Sequence, residues 1–276
     1  MPTTSTKSND SIVSFIRDTF NRTGKSTAVI ALSGGLDSAT SLVLATKAIG
    51  ADHVHAYYLP SKTSNHQNES DARAAVKTAQ LPEKNFRIIP ITSIIQKSWR
   101  IINRHSRPDR ESIQISTKEW IPGQARNDGR LRLANMAARI RMTIIFDQAK
   151  KLDALVIGTE NRSEHLLGYF TRFGDEASDI EPFRHLFKTQ IIALAQTLGI
   201  PQSIIDKPPS ADLWPGQTDA AELGFTYTEA DPILELIDQQ KTKAEIIKRG
   251  YEENLITAVF AKVNNASFKH KVPYTL

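Results

Sequence analysis

Hydrophobic residues alternate along this chain between short unbroken runs and longer stripes at helical spacing. Residues 28–32, Ala-Val-Ile-Ala-Leu, are an unbroken run that reads as a buried strand, and Leu42, Val43, Ala45 and Ile49 follow at the spacing of a helix. The same alternation recurs. Residues 53–59 read as a second strand closed by Pro60, residues 61–70 as a polar loop leading into a helix through Ala79, residues 86–89 as a third strand, and the stretch through Ile102 as another helix. Leu133, Met136, Ala137, Ile140 and Ile144 mark one face of a long helix over 131–151, which leaves Arg132, Arg139 and Arg141 toward solvent; residues 154–158 form the next buried strand. Strands alternating with helices predict an α/β protein with a doubly wound parallel sheet, its ligands bound at the carboxyl ends of the strands.

Three stretches depart from this rhythm. Residues 1–9 are polar and read as a mobile tail ahead of a short amphipathic helix over 12–20. Residues 103–130 are rich in Arg, Asp, Ser and Gly and read as an inserted surface loop, while residues 206–226, with Pro208, Pro209, Pro215, Gly216 and Gly224, suit a mobile lid. The remainder, 10–276, is read as one domain. Its C-terminal helices end in the basic triplet Lys269-His270-Lys271.

The junction after the first strand carries the strongest chemical signal. Ser33-Gly34-Gly35-Leu36-Asp37-Ser38 joins a strand directly to a helix. Glycines there permit positive φ and close approach of backbone to a ligand, and the first N–H groups of the helix lack internal partners and attract anions. A turn with a helix cap would need only one of these side chains. Asp37, a carboxylate where a polyphosphate would lie, makes sense with a divalent cation between the two negative groups, so the hexad reads as a nucleotide phosphate site with Mg²⁺. A second informative stretch, 158–179, follows the strand at 154–158, and in a parallel sheet it places Glu164 on the same edge as Asp37. Lys188 opens a helix, a position unfavourable to a cation unless an anion offsets it, and is a candidate phosphate clamp.

Composition narrows the function. The 276 residues are 40% hydrophobic and 24% charged, with no apolar run long enough to span a membrane and no apolar leader, so the expected setting is the cytoplasm. A net charge of +5 favours an anionic ligand without amounting to a nucleic-acid surface, and the basic residues of 103–130 are interleaved with Asp109, Glu111, Glu119 and Asp128. The sequence contains no cysteine, which excludes a thiol nucleophile and any cysteine-dependent glutamine hydrolysis within it.

Taken together, the motifs resemble those of the ammonia-dependent NAD synthetase family, a branch of the Rossmann-like ATP pyrophosphatases. The resemblance rests on the hexad 33–38, Asn135 with 138–142, the run 158–179, Lys188, and Pro209-Ser210-Ala211-Asp212. It implies that Ala31, Leu32, Ser33, Gly34, Gly35, Leu36, Asp37 and Ser38 hold ATP together with Thr159, Lys188 and Ser210. It further implies that Asp37 and Glu164 bind Mg²⁺, and that Arg139, Arg172, Asp179, His270 and Lys271 bind nicotinate adenine dinucleotide. Arg172 stands where the family usually carries lysine, and Ala134 where it often carries glycine. The implied reaction is ATP-dependent amidation of the dinucleotide by ammonia in a homodimer, with AMP and pyrophosphate released. A tRNA-modifying enzyme of the lysidine-synthetase type uses a similar loop and is the alternative, though no separate RNA-binding domain is evident.

Overall fold

The computed structural model describes residues 4–103, 124–214 and 216–271. In chain order the elements are α1 (Thr4–Thr23), β1 (Thr27–Ala31), α2 (Leu36–Ile49), β2 (Val54–Tyr58), α3 (Gln67–Thr78), β3 (Phe86–Ile88) and α4 (Thr92–Ile102). They continue with α5 (Gln124–Leu152), β4 (Ala154–Val156), α6 (Arg162–Leu167), α7 (Lys188–Thr197), α8 (Gln202–Ile205), α9 (Asp219–Leu223), α10 (Tyr227–Asp238), α11 (Lys243–Ile247) and α12 (Glu253–Ala266). The fold is the expected α/β type. Among the described residues no helix is long and apolar enough to cross a membrane.

The four strands are parallel and lie in the order β3-β2-β1-β4. The chain therefore builds outward from β1 to β3, then returns to lay β4 against the other side of β1, with Thr27, Ala28 and Val29 in register with Ala154, Leu155 and Val156. The strand order reverses between β1 and β4, and the carboxyl ends of the strands at such a point are where these sheets bind ligands; α2 and α7, which follow the two strands, share one core on the same face. A single bridge from Ile157 to Ile180 extends this edge.

Period-two alternation decides which core each strand residue enters. Ala28, Ile30 and Leu32 of the first strand run, with Val54, Ala56 and Tyr58, pack against α1, α2, α3 and α7. Val29, Tyr57 and Val156 face the other way, onto Ile91 and Ile95 at α4 and Ala137, Met142, Ile145 and Ala149 of α5. A third apolar cluster, including Leu167, Phe187, Phe225, Ile233, Leu234, Ile246, Ile256 and Val259, joins α6 to the C-terminal helices.

Three expectations are corrected. Helix α1 begins at Thr4 rather than at residue 12, and Asn9 donates to the Thr197 hydroxyl at 3.0 Å, a contact that hydropathy does not register. Helix α5 begins at Gln124 rather than Leu131; residues 104–123 of the expected insertion lie outside the described residues. Its buried stripe is Ala134, Ala137, Ala138, Met142, Ile145 and Ala149, displaced from the predicted one because small alanines let the helix approach the sheet closely. That rotation half-buries Arg141, whose Nε donates to the Leu59 carbonyl at 3.1 Å; burial lowers its pKa, opposed by Asp212 and Asp175.

Candidate active site

The hexad after β1 forms a loop shaped by its own hydroxyls. Ser38 is buried, and its Oγ accepts from the Ser33 N–H at 3.2 Å and donates to the Gly35 carbonyl at 3.0 Å, while the Gly35 N–H donates to Ser33 Oγ at 3.2 Å. Ser38 is thus committed to the loop itself. Gly34 has a φ of +80°, and a Cβ there would lie 2.3 Å from the backbone oxygen of Asn68, so conformation and packing both demand glycine. Leu32 is 1% exposed and sits in the core, leaving only its backbone for a ligand.

Asp37 occupies the first turn of α2, and the three predicted chemical groups meet there. Lys188 is buried at the start of α7 and pairs with both carboxylates, with Asp37 Oδ2 in close contact and with Glu164 Oε1 at 3.0 Å. Its ammonium also lies 5.5 Å from the centre of the Tyr227 ring. Asn161 connects the same groups, its Oδ1 capping α6 by accepting from the Glu164 N–H at 2.9 Å and its Nδ2 donating to Asp37 at 3.4 Å.

One ammonium serving two carboxylates leaves the site short of positive charge. Burial, reinforced by Asp37 and opposed by Lys188, raises the Glu164 pKa to about 8. Burial alone would lower the Lys188 pKa, but Asp37 and Glu164 outweigh it and carry it above the usual lysine range. Lys188 therefore remains charged between Asp37 and Glu164, and the upward pull on Glu164 reflects the positive charge that the cluster lacks.

The helix dipole cost expected for Lys188 is met twice over. Besides Asp37 and Glu164, the buried Asp231 of α10 accepts from the Thr189 N–H and hydroxyl at 2.9 and 2.8 Å and from the Ser163 hydroxyl at 2.6 Å; Ser163 Oγ in turn accepts from the Lys188 N–H at 2.9 Å. Asp231 thereby fixes the starts of α6 and α7 to one another.

The other candidates form separate sets of contacts. Thr159 is half-buried just beyond β4, and Ser210 is exposed, its hydroxyl accepting from the Asp212 N–H at 3.0 Å. Arg139 is exposed and donates to the Arg172 carbonyl at 3.2 Å, while the Arg172 guanidinium lies over Phe173 and Phe268 at 5.3 and 5.7 Å. Asp179 accepts from the Val156 N–H at 2.7 Å, a tie to the end of β4. His270 packs on the His165 ring at 4.3 Å and lies 2.6 Å from the His165 carbonyl oxygen, and Lys271 is exposed. Lys269, uninformative as sequence, ties the turn after α12 to the end of α6 by donating to the carbonyls of Gly168 and Phe170 at 2.6 and 2.8 Å.

The sequence reading missed Asn161, Asp231, Tyr227 and Lys207. Asn161 carried a usable signal, since Asn-Arg-Ser-Glu over 161–164 is the spacing of a capping box, although Glu164 reaches Lys188 instead of the cap. The others join the site across long sequence separations that no local pattern announces.

Comparison with known proteins decides the family. The NAD synthase family matches residues 9–273. This chain belongs to the NAD synthase family. Within the NAD synthase family, the chain is 36% identical to the NH₃-dependent NAD⁺ synthetase of Trichlorobacter lovleyi over 263 residues, covering 95% of this chain and 87% of that protein. Among solved structures, it is similar to NMN synthetase from Francisella tularensis, with a TM-score of 0.81 and 28% identity over 100% of this chain and 99% of that one. It is also similar to the NH₃-dependent NAD synthetase from Campylobacter jejuni, with a TM-score of 0.75 and 28% identity over 99% and 100% of the two chains.

Proposed function

We propose that this chain is a ligase that converts nicotinate adenine dinucleotide to NAD with free ammonia, consuming ATP and releasing AMP and pyrophosphate through an acyl-adenylate. The observation that carries the reading is the meeting of Asp37, Glu164 and Lys188 in the crevice between β1 and β4. A carboxylate oxygen of the nicotinate attacks the α-phosphorus of ATP, the bond to the bridging oxygen breaks, and pyrophosphate leaves along the loop 33–38. Lys188 offsets the negative charge that collects on the leaving group. Ammonia then attacks the acyl carbon, the bond to AMP breaks, and the nitrogen loses its proton. No side-chain nucleophile is required, in keeping with a sequence that has no cysteine.

Magnesium fits the residues present. Among the described residues no group of three or more His, Cys, Asp or Glu side chains gathers as a metal cage, but Mg²⁺ is commonly held by one or two carboxylates with substrate phosphates completing its shell. Asp37 and Glu164 are such a pair, with more carboxylate than Lys188 neutralises. They would hold the ion, which when bound supplies further charge neutralisation to the departing pyrophosphate.

Arg139, Arg172, Asp179, His270 and Lys271 serve the dinucleotide in this reading, and Thr159 and Ser210 the ATP. Segment 206–226 acts as the lid that keeps water from the acyl-adenylate. The active form is a homodimer, for which the exposed Ile101, Ile102 and Leu131 of α4 and α5 provide apolar surface to cover.

The likeness to a synthetase of NMN favours a second reading, amidation of the corresponding mononucleotide. The test measures AMP and pyrophosphate release with each nucleotide as acceptor and ammonium or glutamine as donor. The proposal expects NAD from the dinucleotide with ammonium alone. Turnover of the mononucleotide in preference to the dinucleotide would replace the substrate, and release of AMP only with tRNA and an amine would replace the activity.

A further inference from the structure

Lys207, between α8 and the start of the segment read as a lid's proline-rich portion, makes contacts that the reaction scheme does not use. Its ammonium donates to the carbonyl of Gly34 at 3.3 Å, to Asn68 Oδ1, and to Asp71 Oδ2 at 2.6 Å. An ammonium has three protons to donate, so these contacts leave none for a ligand. Asp71 is 2% exposed and its other oxygen accepts from Gln67 Nε2 at 3.1 Å. Asn68 is a junction, accepting from Lys207 through Oδ1, donating to Asp212 at 2.6 Å through Nδ2, and presenting its backbone oxygen to the face of Gly34 where a Cβ would stand.

The important partner is the Gly34 carbonyl. A trans peptide is planar, with its C=O and N–H pointing in opposite directions, so holding the oxygen of Gly34 also fixes the direction of the Gly35 N–H. That N–H lies on the Ser33 side of the loop. Two consecutive glycines offer little steric resistance to rotation of the peptide between them. Rotation would break the bond to Ser33 Oγ and bring the Gly34 carbonyl round to the Ser33 side of the loop, where it would repel a phosphate.

We infer that Lys207 is a positioning residue that locks the Gly34–Gly35 peptide with its N–H on Ser33 Oγ, so that the loop 33–38 turns no carbonyl toward the pyrophosphate portion of ATP. The inference rests on the reading of this loop as the ATP site. It also gives the start of segment 206–226 a second task, since the residue that anchors it to α3 is the one that sets the loop.

Lys207→Met removes the charge at nearly constant length but strands the buried Asp71 carboxylate, which by itself lowers stability. The deciding variant is therefore Lys207→Met combined with Asp71→Asn, compared with both single changes and wild type. Melting temperature is measured alongside the KM of each substrate and the inhibition constant of pyrophosphate. The lock predicts a double variant that regains melting temperature relative to Lys207→Met yet shows both the KM for ATP and the pyrophosphate inhibition constant raised by about tenfold, the scale of one charge-assisted hydrogen bond. The KM values for dinucleotide and ammonium stay near wild type. A double variant with a wild-type KM for ATP would show that Lys207 serves only to pair Asp71, and an equal rise in all three KM values would show general slackening; either overturns the lock. Absence of ATP-dependent turnover in the wild type would instead remove the reading of the loop on which it stands.

Discussion

The two ends of the proposed active site are built differently. At the phosphate end, Asp37 of α2, Asn161 and Glu164 of α6 and Lys188 of α7 touch one another, the lysine and asparagine buried and the two carboxylates half-buried, in a cluster anchored at the starts of α6 and α7. At the dinucleotide end, Arg139 and Arg172 are tied through one carbonyl, Asp179 to β4 and His270 to His165, with exposed Phe173 and Phe268 between solvent and charge. The first end is organised by the fold before any substrate arrives; the second presents charged and aromatic groups that a substrate must gather. Preorganised groups act on the transition state, whereas groups ordered by the ligand act on binding.

Substitutions at the two ends should therefore have different kinetic signatures. Asp37→Ala and Glu164→Gln are each expected to lower kcat by ~10²-fold or more, measured as AMP release at saturating Mg²⁺ and substrates. Near-normal turnover in either would remove the metal assignment and the contrast with it. Lys188→Ala should damage use of ATP more than binding of dinucleotide, and the reverse ranking would count against its place as the phosphate clamp.

Asp231→Ala tests whether the cluster is held by its supports. Ser163 and Thr189 would lose the acceptor for one buried and two half-buried donors, and denaturant unfolding should show a loss of about 2–3 kcal/mol. Stability within 0.5 kcal/mol of wild type, the range of an ordinary surface change, would mean that α6 and α7 are fixed by apolar packing instead. At the looser end, Arg172→Ala should raise the KM for dinucleotide by about tenfold with kcat largely kept, and an unchanged KM would place the dinucleotide elsewhere.

What the sequence disclosed follows the same division. Strand β1, the hexad and α2 are contiguous, so their pattern and chemistry are visible together, and the parallel-sheet rule was enough to bring Glu164 to the edge that holds Asp37. The supports were hidden because they are contacts over distance, as with Lys207 and Gly34, separated by 173 positions. The position of Arg141 depended on how alanines seat α5 against the sheet, and hydrophobic periodicity registers that poorly because alanine adds little to the pattern.

The smallest expected effect concerns Glu181, which lies under the end of β4. Burial pushes its pKa up to about 8, with the Ser178 hydroxyl and Arg184 opposing and the Glu160 charge adding. Its carboxyl accepts from Ser178 at 2.7 Å and from the Glu160 N–H at 3.0 Å. The folded protein thus holds this proton more tightly than the unfolded chain, and stability falls as pH rises from the ordinary value of 4.5 toward about 8. Glu181→Gln should remove that contribution, so its melting temperature relative to wild type rises across this window and levels above it. A difference independent of pH would show that Glu181 is ionised throughout.

In the proposed reaction the crevice between β1 and β4 transfers adenylate to a nicotinate carboxylate before ammonia enters. Exchange of labelled pyrophosphate into ATP, measured with Mg²⁺ and without ammonium, tests it most directly. Exchange is expected to require the dinucleotide and to disappear in Asp37→Ala. Exchange that proceeds equally without the dinucleotide, or persists in that variant, would contradict it.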